Sequence, residues 1–370
     1  MKLIYLTGFG LPTEWAHGIQ VMKMCEAFAD LGAQVELMAP RRRNEVKADP
    51  FDYYTVKNNF KINKLPCLDI CPGDASGFYF WLRLISFLLV ARSRLFLKNY
   101  DVLYTRDQFA GVFFRRFILE LHSLPATPKK WQKKIWQKAG KLIVLNDLMK
   151  RELIGFGIRE EKILTAPDAV DLKEFDLKIT KQEVRGKIGL PPDKRIVMYA
   201  GSFYLHDWKG VDILLEANRE LPDDYLLVLV GGEKEELEKI QKKYGGNNLL
   251  LAGRKRYKDI PYYFKSADVL VLPNKSGSAN SEKYTSPLKM FEYMASGAPI
   301  VASDLPSIRE ILNSHNAILV EPDDPQKLAA GIRRAAEDAV FSASLAQKAL
   351  GDAANFTWQK RAKNIINSVS

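Results

Sequence analysis

Two hydrophobic patterns alternate along the chain. Short apolar runs, typical of strands buried on both faces, are separated by longer segments whose apolar residues recur every third or fourth position, as in amphipathic helices. The first elements are a strand at 2–7, a helix at about 18–31 and a strand at 34–38, a unit that predicts parallel pairing. Further strands are predicted at 102–105, 118–120, 141–145, 163–166, 196–199, 225–231, 249–252, 269–273, 300–302 and 317–320.

This order of elements predicts an α/β protein with two parallel-sheet domains. A chain of 370 residues is long enough to bury two cores. The run 166–175 interrupts the alternation, and the polar segment 176–195 is expected to be a linker. We therefore predict one domain at 1–175, a second at 176–355, and a C-terminal segment at 356–370 that is mostly an amphipathic helix.

A helix start with the properties of an anion site is predicted near residue 287. Ser286 is a favourable N-cap residue, Pro287 suits the first helical position, and Gly297 ends the helix before the next strand. The amides of Leu288 and Lys289 then have no partner within the helix. Unpaired amides and the positive end of the helix dipole together favour a phosphate, although an ordinary capped helix gives the same pattern.

Glu292 lies on the same helical face as Leu288, about one turn deeper, where a ribose attached to a diphosphate would lie. The segment 284–304 resembles the nucleotide-sugar site of the retaining glycosyltransferases of family 4, which have the GT-B fold. The resemblance implies that Glu292 binds the donor ribose. Tyr284 stands where the family often has a first glutamate, close to the transferred sugar, and Glu282 is the candidate substitute for that carboxylate.

The resemblance extends over nearly the whole chain. It implies two Rossmann-like domains facing a cleft that holds donor and acceptor, with the last helix returning to the first domain. It also implies that Lys209 neutralises the donor diphosphate. Ser202 occupies the place of a frequent arginine of the family, and Lys289 and Arg254 are the two candidates for the missing cation. The loop that contains Arg254 corresponds to the base-binding loop of the family.

Three positions in the first half also match the family. Gly18 takes the place of its glycine-rich loop and is a candidate donor contact, and His17 beside it is a candidate acceptor-side contact. His122 follows a predicted strand and resembles the histidine that bonds to the transferred sugar or the acceptor. A lone histidine at a strand end is otherwise a structural residue.

Cysteine and histidine are too sparse to indicate a metal or redox centre. Three cysteines form a poor disulfide framework, and Cys67 and Cys71 are spaced for neither zinc nor a redox pair, so we expect free thiols. Four scattered histidines give little material for a metal site. We expect no metal and no cofactor besides the donor. The mechanism that the resemblance implies is retention of configuration without a protein nucleophile.

The net charge of +11 is concentrated in the first half, which holds 27 Lys/Arg and 19 Asp/Glu against 28 and 25 in the remainder. Lys129–Lys138 places Trp131, Ile135 and Lys138 on one helical face, with Trp136 nearby, and suits either an anionic membrane or a solvated helix packed on the core. The apolar run 78–91 is too short to span a bilayer and suits a buried or an interfacial helix. Without a secretion signal after Met1, we expect a cytoplasmic protein, peripheral on the membrane.

The sequence therefore favours a retaining glycosyltransferase that moves a sugar from a nucleotide diphosphate-sugar to a glycan, lipid-linked or small-molecule acceptor. A sugar-nucleotide epimerase of the same fold and a noncatalytic lipid- or nucleic-acid-binding protein are the alternatives. A dinucleotide fingerprint after Gly8 fails because Thr13 occupies its third glycine position. Nucleic acid is not an expected partner, since the aromatic and basic residues are concentrated in one segment.

Overall fold

The computed structural model describes residues 1–43, 46–70, 77–203 and 207–369. The chain forms two compact units, which we call unit 1 (Met1–Pro167 with Trp358–Ser370) and unit 2 (Asp168–Thr357). Cys71 and part of the loop that follows the strand expected at 196–199 lie outside the described residues.

Unit 1 is built on a seven-stranded sheet in which every pair of neighbouring strands is parallel. Its strands are β1 (Lys2–Leu6), β2 (Gln34–Pro40), β3 (Lys61–Leu65), β4 (Val102–Thr105), β5 (Ile118–Leu121), β6 (Lys141–Val144) and β7 (Ile163–Thr165). Their spatial order is β3-β2-β1-β4-β5-β6-β7. The helices between them are α1 (Ala16–Asp30), α2 (Pro50–Tyr54), α3 (Phe78–Phe96), α4 (Ala110–Phe113), α5 (Lys130–Lys138) and α6 (Asp147–Gly155), with a 3-10 turn at Glu160–Lys162.

Unit 2 contains a six-stranded parallel sheet. Its strands are β8 (Arg195–Gly201), β9 (Tyr225–Gly231), β10 (Leu249–Gly253), β11 (Val269–Leu272), β12 (Ile300–Ser303) and β13 (Ile318–Val320), in the order β10-β9-β8-β11-β12-β13. Its helices are α7 (Leu172–Phe175), α8 (Lys181–Ile188), α9 (Val211–Arg219), α10 (Lys234–Tyr244), α11 (Ile260–Ser266), α12 (Leu288–Ser296), α13 (Pro306–Arg309), α14 (Pro325–Glu337) and α15 (Ala339–Ala353). Short 3-10 turns lie at Asp207–Lys209 and Tyr257–Asp259, and a π-helical turn at Asn280–Tyr284.

The last helix, α16 (Trp358–Asn367), belongs to unit 1. Its Arg361 is buried and donates hydrogen bonds to the carbonyl oxygens of Pro167 (2.9 Å) and Ala166 (3.2 Å) and to Glu120 Oε1 (2.9 Å). These bonds attach the C-terminal end of the chain to the carboxyl side of the first sheet, as the sequence analysis expected.

The predicted fold class is confirmed: both units are parallel α/β layers with helices on both faces of the sheet. In β8, for example, Ile196 and Met198 face one apolar cluster of unit 2, whereas Val197 and Tyr199 face the other. A strand buried on both faces is continuously apolar, which is why the apolar runs located the central strands well.

The expected linker at 176–195 is wrong, because it contains α8. Thr180 and Glu183 form a capping box at its start, and Gly189 closes it in the left-handed conformation (φ 75°). Arg185 is buried and donates to Asp268 Oδ2 (2.5 Å) and to the carbonyl oxygen of Ser266 (3.0 Å). The polar composition of this segment suggested a linker, but the segment contains a helix that the buried Arg185 attaches to Ser266 and Asp268.

Candidate functional site

Two lysines lie together at the carboxyl end of β8. Lys209, which ends the turn before α9, donates a hydrogen bond to Ser202 Oγ. Lys289, in the first turn of α12, holds its Nζ 3.7 Å from the centre of the Tyr199 ring. A β-carbon at Gly201 (φ 143°) would lie 2.6 Å from the same nitrogen. The absence of a side chain at Gly201 thus leaves room for the ammonium group of Lys289.

Burial destabilises the charged form of both lysines. It lowers the pKa of Lys289 well below its usual range, and the neighbouring Lys209 lowers it further, whereas Glu292 opposes the shift. Burial also lowers the pKa of Lys209, against the effect of Glu236. An anion bound here would stabilise both ammonium groups, because its negative charge would offset the loss of hydration that disfavours them.

The start of α12 adds backbone amides to this region. The helix begins at Leu288 with Pro287 as the N-cap residue, and no side chain caps it among the residues that the structure describes. The first-turn amides of Leu288 and Lys289 therefore have no acceptor in a preceding helical turn. Met290 N, in contrast, donates to Pro287 O at 2.9 Å.

The prediction that Ser286 caps α12 is wrong by one position. Its Oγ accepts a hydrogen bond from the amide of Asp168 at 3.2 Å. Pro287 has extended dihedral angles (φ −72°, ψ 133°), so it precedes the helix and does not begin it. The buried hydroxyl of Ser286 stabilises the segment before α7, and the helix start remains uncapped. Gly297 ends α12 in the left-handed conformation (φ 72°), as predicted.

Glu292 is buried on α12 and lies within hydrogen-bonding reach of the Tyr257 hydroxyl, which also reaches Glu174. Burial, together with the two carboxylates, raises the pKa of Tyr257 well above its usual range. A phenol has one hydrogen to donate, so it can serve only one of these carboxylates at a time.

Three further residues of unit 2 were singled out by sequence. Arg254 follows the edge strand β10 and forms an ion pair with Glu233. Tyr284 is buried at the end of the π-helical turn. Glu282, the candidate substitute carboxylate, accepts a hydrogen bond from Gly277 N at 2.8 Å within its own loop.

In unit 1, His122 lies at the carboxyl end of β5 and contacts a buried glutamate. Its Nε2 is 2.7 Å from Glu120 Oε1, and its side chain is 26% exposed whereas that of Glu120 is 0% exposed. Glu120 also accepts hydrogen bonds from Gln20 Nε2 (2.6 Å), Arg361 Nη2 (2.9 Å) and the Tyr104 hydroxyl. The imidazole is thus oriented through one nitrogen by a carboxylate that three further hydrogen bonds hold in place.

The charge of Glu120 is well compensated. Burial opposes its ionisation, but Arg361, His122 and Arg106 outweigh that effect and hold the pKa of Glu120 well below its usual range. Arg106 extends the network by donating to Gln20 Oε1 at 2.8 Å.

Gly18 and His17 lie in the first turn of α1. A β-carbon at Gly18 would lie 2.2 Å from the Tyr54 hydroxyl, which donates to Thr13 O (2.7 Å) and accepts from Thr13 N (2.6 Å). The packing of this tyrosine is a sufficient reason for a glycine at position 18. The His17 ring lies 4.0 Å from that of Phe9, centre to centre.

Sequence reasoning missed Glu120, Arg361 and Tyr257 as members of these clusters. A glutamate inside the apolar strand 118–121 was the available signal, because a charged residue on a buried strand requires a partner. Asp107 was also missed; it follows β4, and burial raises its pKa to about 6 although the Phe109 amide opposes the shift. The partner of Glu120 lies 241 residues away in the sequence and carries no local signature.

Metal-type clusters and membrane-spanning helices are both absent among the residues that the structure describes. No group of three or more His, Cys, Asp or Glu side chains there has the arrangement of a metal site. No helix there is both long and apolar enough to cross a bilayer. Cys25 and Cys67 are free thiols.

Two protein families match the chain, one in each half. Residues 18–174 match the family described as Glycosyltransferase Family 4, and residues 194–338 match the one described as Glycosyl transferases group 1. A curated relative, the D-inositol 3-phosphate glycosyltransferase of Xylanimonas cellulosilytica, is 27% identical over 228 residues. That alignment covers 57% of this chain and 52% of the relative, so the chain matches about half the length of that protein.

Solved structures share the fold over the full length. Sucrose-phosphate synthase from Thermosynechococcus elongatus superposes with a TM-score of 0.80 at 20% identity, covering 99% of this chain and 98% of that one. Anabaena HepE in complex with UDP-glucose gives a TM-score of 0.75 at 19% identity, with coverage of 100% and 99%.

Proposed function

Since the chain belongs to the glycosyltransferases of family 4 and has the GT-B fold, we propose that it transfers a sugar from a nucleotide diphosphate-sugar to a hydroxyl group of an acceptor. The observation that carries this proposal is the pair Lys209 and Lys289, two desolvated lysines at the end of β8. A diphosphate leaving group supplies the negative charge that such a pair would neutralise. The complex of HepE with UDP-glucose supports a donor of this class.

The donor is proposed to bind unit 2 in an extended manner. Its diphosphate contacts Lys209, Lys289 and the first-turn amides of α12, while its ribose hydroxyl groups donate to Glu292. The spacing supports this arrangement, because Glu292 lies one helical turn beyond the amides of Leu288 and Lys289. Tyr284 is assigned to the sugar side, Ser202 to the phosphates, and Arg254 to the base.

Transfer is proposed to retain the configuration at the anomeric carbon. The acceptor hydroxyl attacks from the side on which the diphosphate leaves, its oxygen forms the new bond to the anomeric carbon, and a phosphate oxygen takes its proton. Negative charge grows on the leaving diphosphate in this step, and groups already fixed at that position lower the barrier because they need no reorganisation. Lys209 and the α12 amides have this role.

Unit 1 is proposed to hold the acceptor, which is a glycan, a lipid-linked sugar or a small molecule. His122 is assigned to the transferred sugar or the acceptor hydroxyl, because Glu120 fixes its ring and leaves it partly exposed. His17 is assigned to the acceptor side, and Gly18 to close approach of the donor.

Fixed cations and amides would neutralise the diphosphate without a divalent ion, so we propose metal-independent transfer. We also propose that the protein works in the cytoplasm, peripheral on an anionic membrane. The basic surface of α5, in which Lys130 and Lys134 are exposed, supports the second proposal.

The test is a thermal-shift screen of nucleoside diphosphates and their sugar conjugates against the full chain. A cognate nucleotide at about 100 times its Kd should raise the free energy of unfolding by about 2.7 kcal/mol. At the same nucleotide concentration Lys289→Met should reduce this gain, whereas Lys363→Met, at an exposed lysine on α16, should preserve it. Stabilisation by no nucleotide diphosphate would refute the donor proposal. Consumption of the donor without any acceptor, giving an isomeric sugar nucleotide, would favour an epimerase instead.

A further inference from the structure

The solvent face of α3 is apolar over most of its length, and Arg92, Ser93 and Arg94 are exposed in its last turns. The side chains that face the core of unit 1 include Leu84, Phe87 and Leu88, all of which are buried. The opposite face would ordinarily be polar, as in a surface helix of a globular protein. Here it exposes the large apolar residues Phe78, Tyr79, Trp81, Ile85, Leu89 and Phe96, and Leu97 follows the helix. The exposed fractions of Phe96 and Leu97 are both 88%.

An aromatic row connects this face to the basic helix α5. The Trp81 ring lies edge-on to Phe109, with centres 4.4 Å apart, and Phe109 stacks on Trp131 at 5.0 Å. Trp131 is partly exposed in the first turn of α5. A hydrogen bond also connects α5 to α4, since Lys138 Nζ donates to Gly111 O at 2.6 Å. The apolar face and the lysines of α5 therefore belong to one continuous surface.

Positive charge surrounds the apolar residues. Of the four Lys/Arg in residues 78–98, Arg92 and Arg94 are exposed, whereas Arg83 is buried beside Asp69 and Lys98 pairs with Glu36. Residues 108–138 contain seven Lys/Arg and one acidic residue, and that residue is Glu120, which is fully buried. Apolar and aromatic side chains bordered by cations match the boundary between acyl chains and anionic headgroups. An acidic protein surface would match the charge but not the row of large apolar side chains along one exposed helix.

We propose that the outer face of α3, with Trp81, Phe109 and Trp131 at its border, inserts into the interfacial region of an anionic lipid bilayer. This proposal deepens the membrane location proposed above and rests on it, but it does not depend on the donor chemistry. It makes α5 an electrostatic contact and α3 the hydrophobic anchor. Two such signals together give stable yet reversible attachment, whereas lysines alone give binding that salt abolishes.

The experiment is flotation of the full chain with vesicles of phosphatidylcholine alone or mixed with phosphatidylglycerol, at about 0.05 M and about 0.5 M salt. The parent should float with the anionic vesicles and retain part of its binding at high salt. Leu89→Ser should weaken partitioning about tenfold at both salt concentrations. The double variant Lys130→Glu, Lys134→Glu should lose binding mainly at low salt. Val340→Ser removes an 84% exposed apolar residue from unit 2 and should float like the parent.

Since Leu89 is exposed, its replacement should leave the melting temperature unchanged. A combined Trp81→Ser, Leu89→Ser, Phe96→Ser variant should partition onto the anionic vesicles at least about a hundredfold more weakly than the parent. Parent-like flotation of that variant would overturn the proposal. So would equal binding to neutral vesicles, or no vesicle binding at all, which would indicate a protein partner. A lipid-free dimer that the variants convert to a monomer would show that a second copy covers the face. No nucleotide is present in the flotation assay, so its result is independent of the donor site. A protein that binds these vesicles but no nucleotide would refute the donor proposal and leave the membrane proposal intact.

Discussion

Lys289 occupies a setting that disfavours its charge. It lies beside Gly201 and the Tyr199 ring, close to a second lysine, and burial lowers its pKa well below the usual range. Such a residue contributes little to stability in the absence of a ligand. It is better explained as a group that becomes favourably charged when an anion arrives.

The depressed pKa of Lys289 predicts that binding of a diphosphate is linked to the uptake of a proton. Binding of a diphosphate stabilises the ammonium form and raises the pKa of Lys289, so binding at a pH above the depressed pKa takes up a proton. Affinity should therefore fall as the pH rises through that depressed pKa, below the range in which an ordinary lysine titrates. Titration calorimetry at several pH values, in buffers with different ionisation enthalpies, measures both effects. Lys289→Met should lose most of the pH dependence. A constant affinity in the parent would show that Lys289 does not meet the anion.

His122 is predicted to serve the reaction and not the fold. His122→Ala removes one contact of Glu120, which keeps its hydrogen bonds to Gln20, Tyr104 and Arg361. The melting temperature and the nucleotide affinity should stay nearly unchanged, while turnover falls about tenfold to a hundredfold. Turnover assays beside thermal unfolding decide between the roles. Unfolding of the variant at a markedly lower temperature, with parental residual turnover, would make His122 a packing residue.

At this scale the sequence located single residues better than their partners. The helix start could be predicted to within one residue, and Glu292 could be placed on its face, because capping and helical periodicity are local properties. The position of Lys289 beside Gly201, and the contact of Tyr257 with Glu292, depend on the packing of segments that are far apart in the sequence. Ser286 was misassigned because its hydroxyl serves Asp168, which is 118 positions away.

At the scale of elements, α16 is attached to the first sheet by a buried ion pair. Arg361 and Glu120 have side-chain exposures of 3% and 0%. A buried pair of this kind contributes little over an apolar pair, but removing one partner leaves an uncompensated charge.

Arg361→Met is therefore predicted to lower the free energy of unfolding by about 3 kcal/mol at neutral pH. In the parent, the pKa of Glu120 is depressed on folding, so its contribution is present above the ordinary glutamate range and is lost as the pH falls through the folded pKa. The variant lacks this contribution, so its deficit should shrink as the pH falls below the ordinary range. Urea unfolding at neutral and acidic pH measures the difference, with Lys363→Met on the same helix as control. A deficit that does not change with pH would indicate lost packing only.

The elements themselves were predictable where they are strongly patterned. Central strands such as β8 and β9 are continuously apolar, and α12 ends at a glycine. The edge strand β3 was missed because its sequence, Lys61–Leu65, has two lysines and little apolar character. Edge strands face solvent and often carry lysine, so they lack the pattern of a central strand. The capping box of α8 was visible in the sequence, but the surrounding polar residues suggested a linker.

At the scale of the whole molecule, the two units differ in the surface they present. Unit 2 carries the desolvated lysines and the uncapped helix start, while the apolar face of α3 and the exposed lysines of α5 belong to unit 1. The charge is divided in the same way: unit 1 holds 29 Lys/Arg and 16 Asp/Glu, a net charge of +13, whereas unit 2 holds 26 and 28, a net charge of −2. We expect the donor to be recognised by unit 2 and the acceptor, with any membrane, by unit 1.

Transfer is predicted to continue without a divalent ion, since lysines and amides would neutralise the diphosphate. Activity measured in excess chelator should equal that in its absence, with the protein freed of metal beforehand. Inactivation by the chelator that only added metal reverses would contradict this prediction.

The central claim is that unit 2 binds the nucleotide diphosphate of a sugar donor through the face of α12. Isothermal titration of the cognate nucleoside diphosphate into the parent and the Glu292 variants tests it most directly. Glu292→Ala should weaken binding by about one to two decades, corresponding to charge-assisted hydrogen bonds of about 1.5–3 kcal/mol, and Glu292→Gln should lose less. Glu238→Ala, on the exposed side of α10, should bind like the parent, and Tyr284→Ala should affect the sugar conjugate more than the bare nucleotide. If Glu292→Ala binds as tightly as the parent, the proposed donor site is wrong.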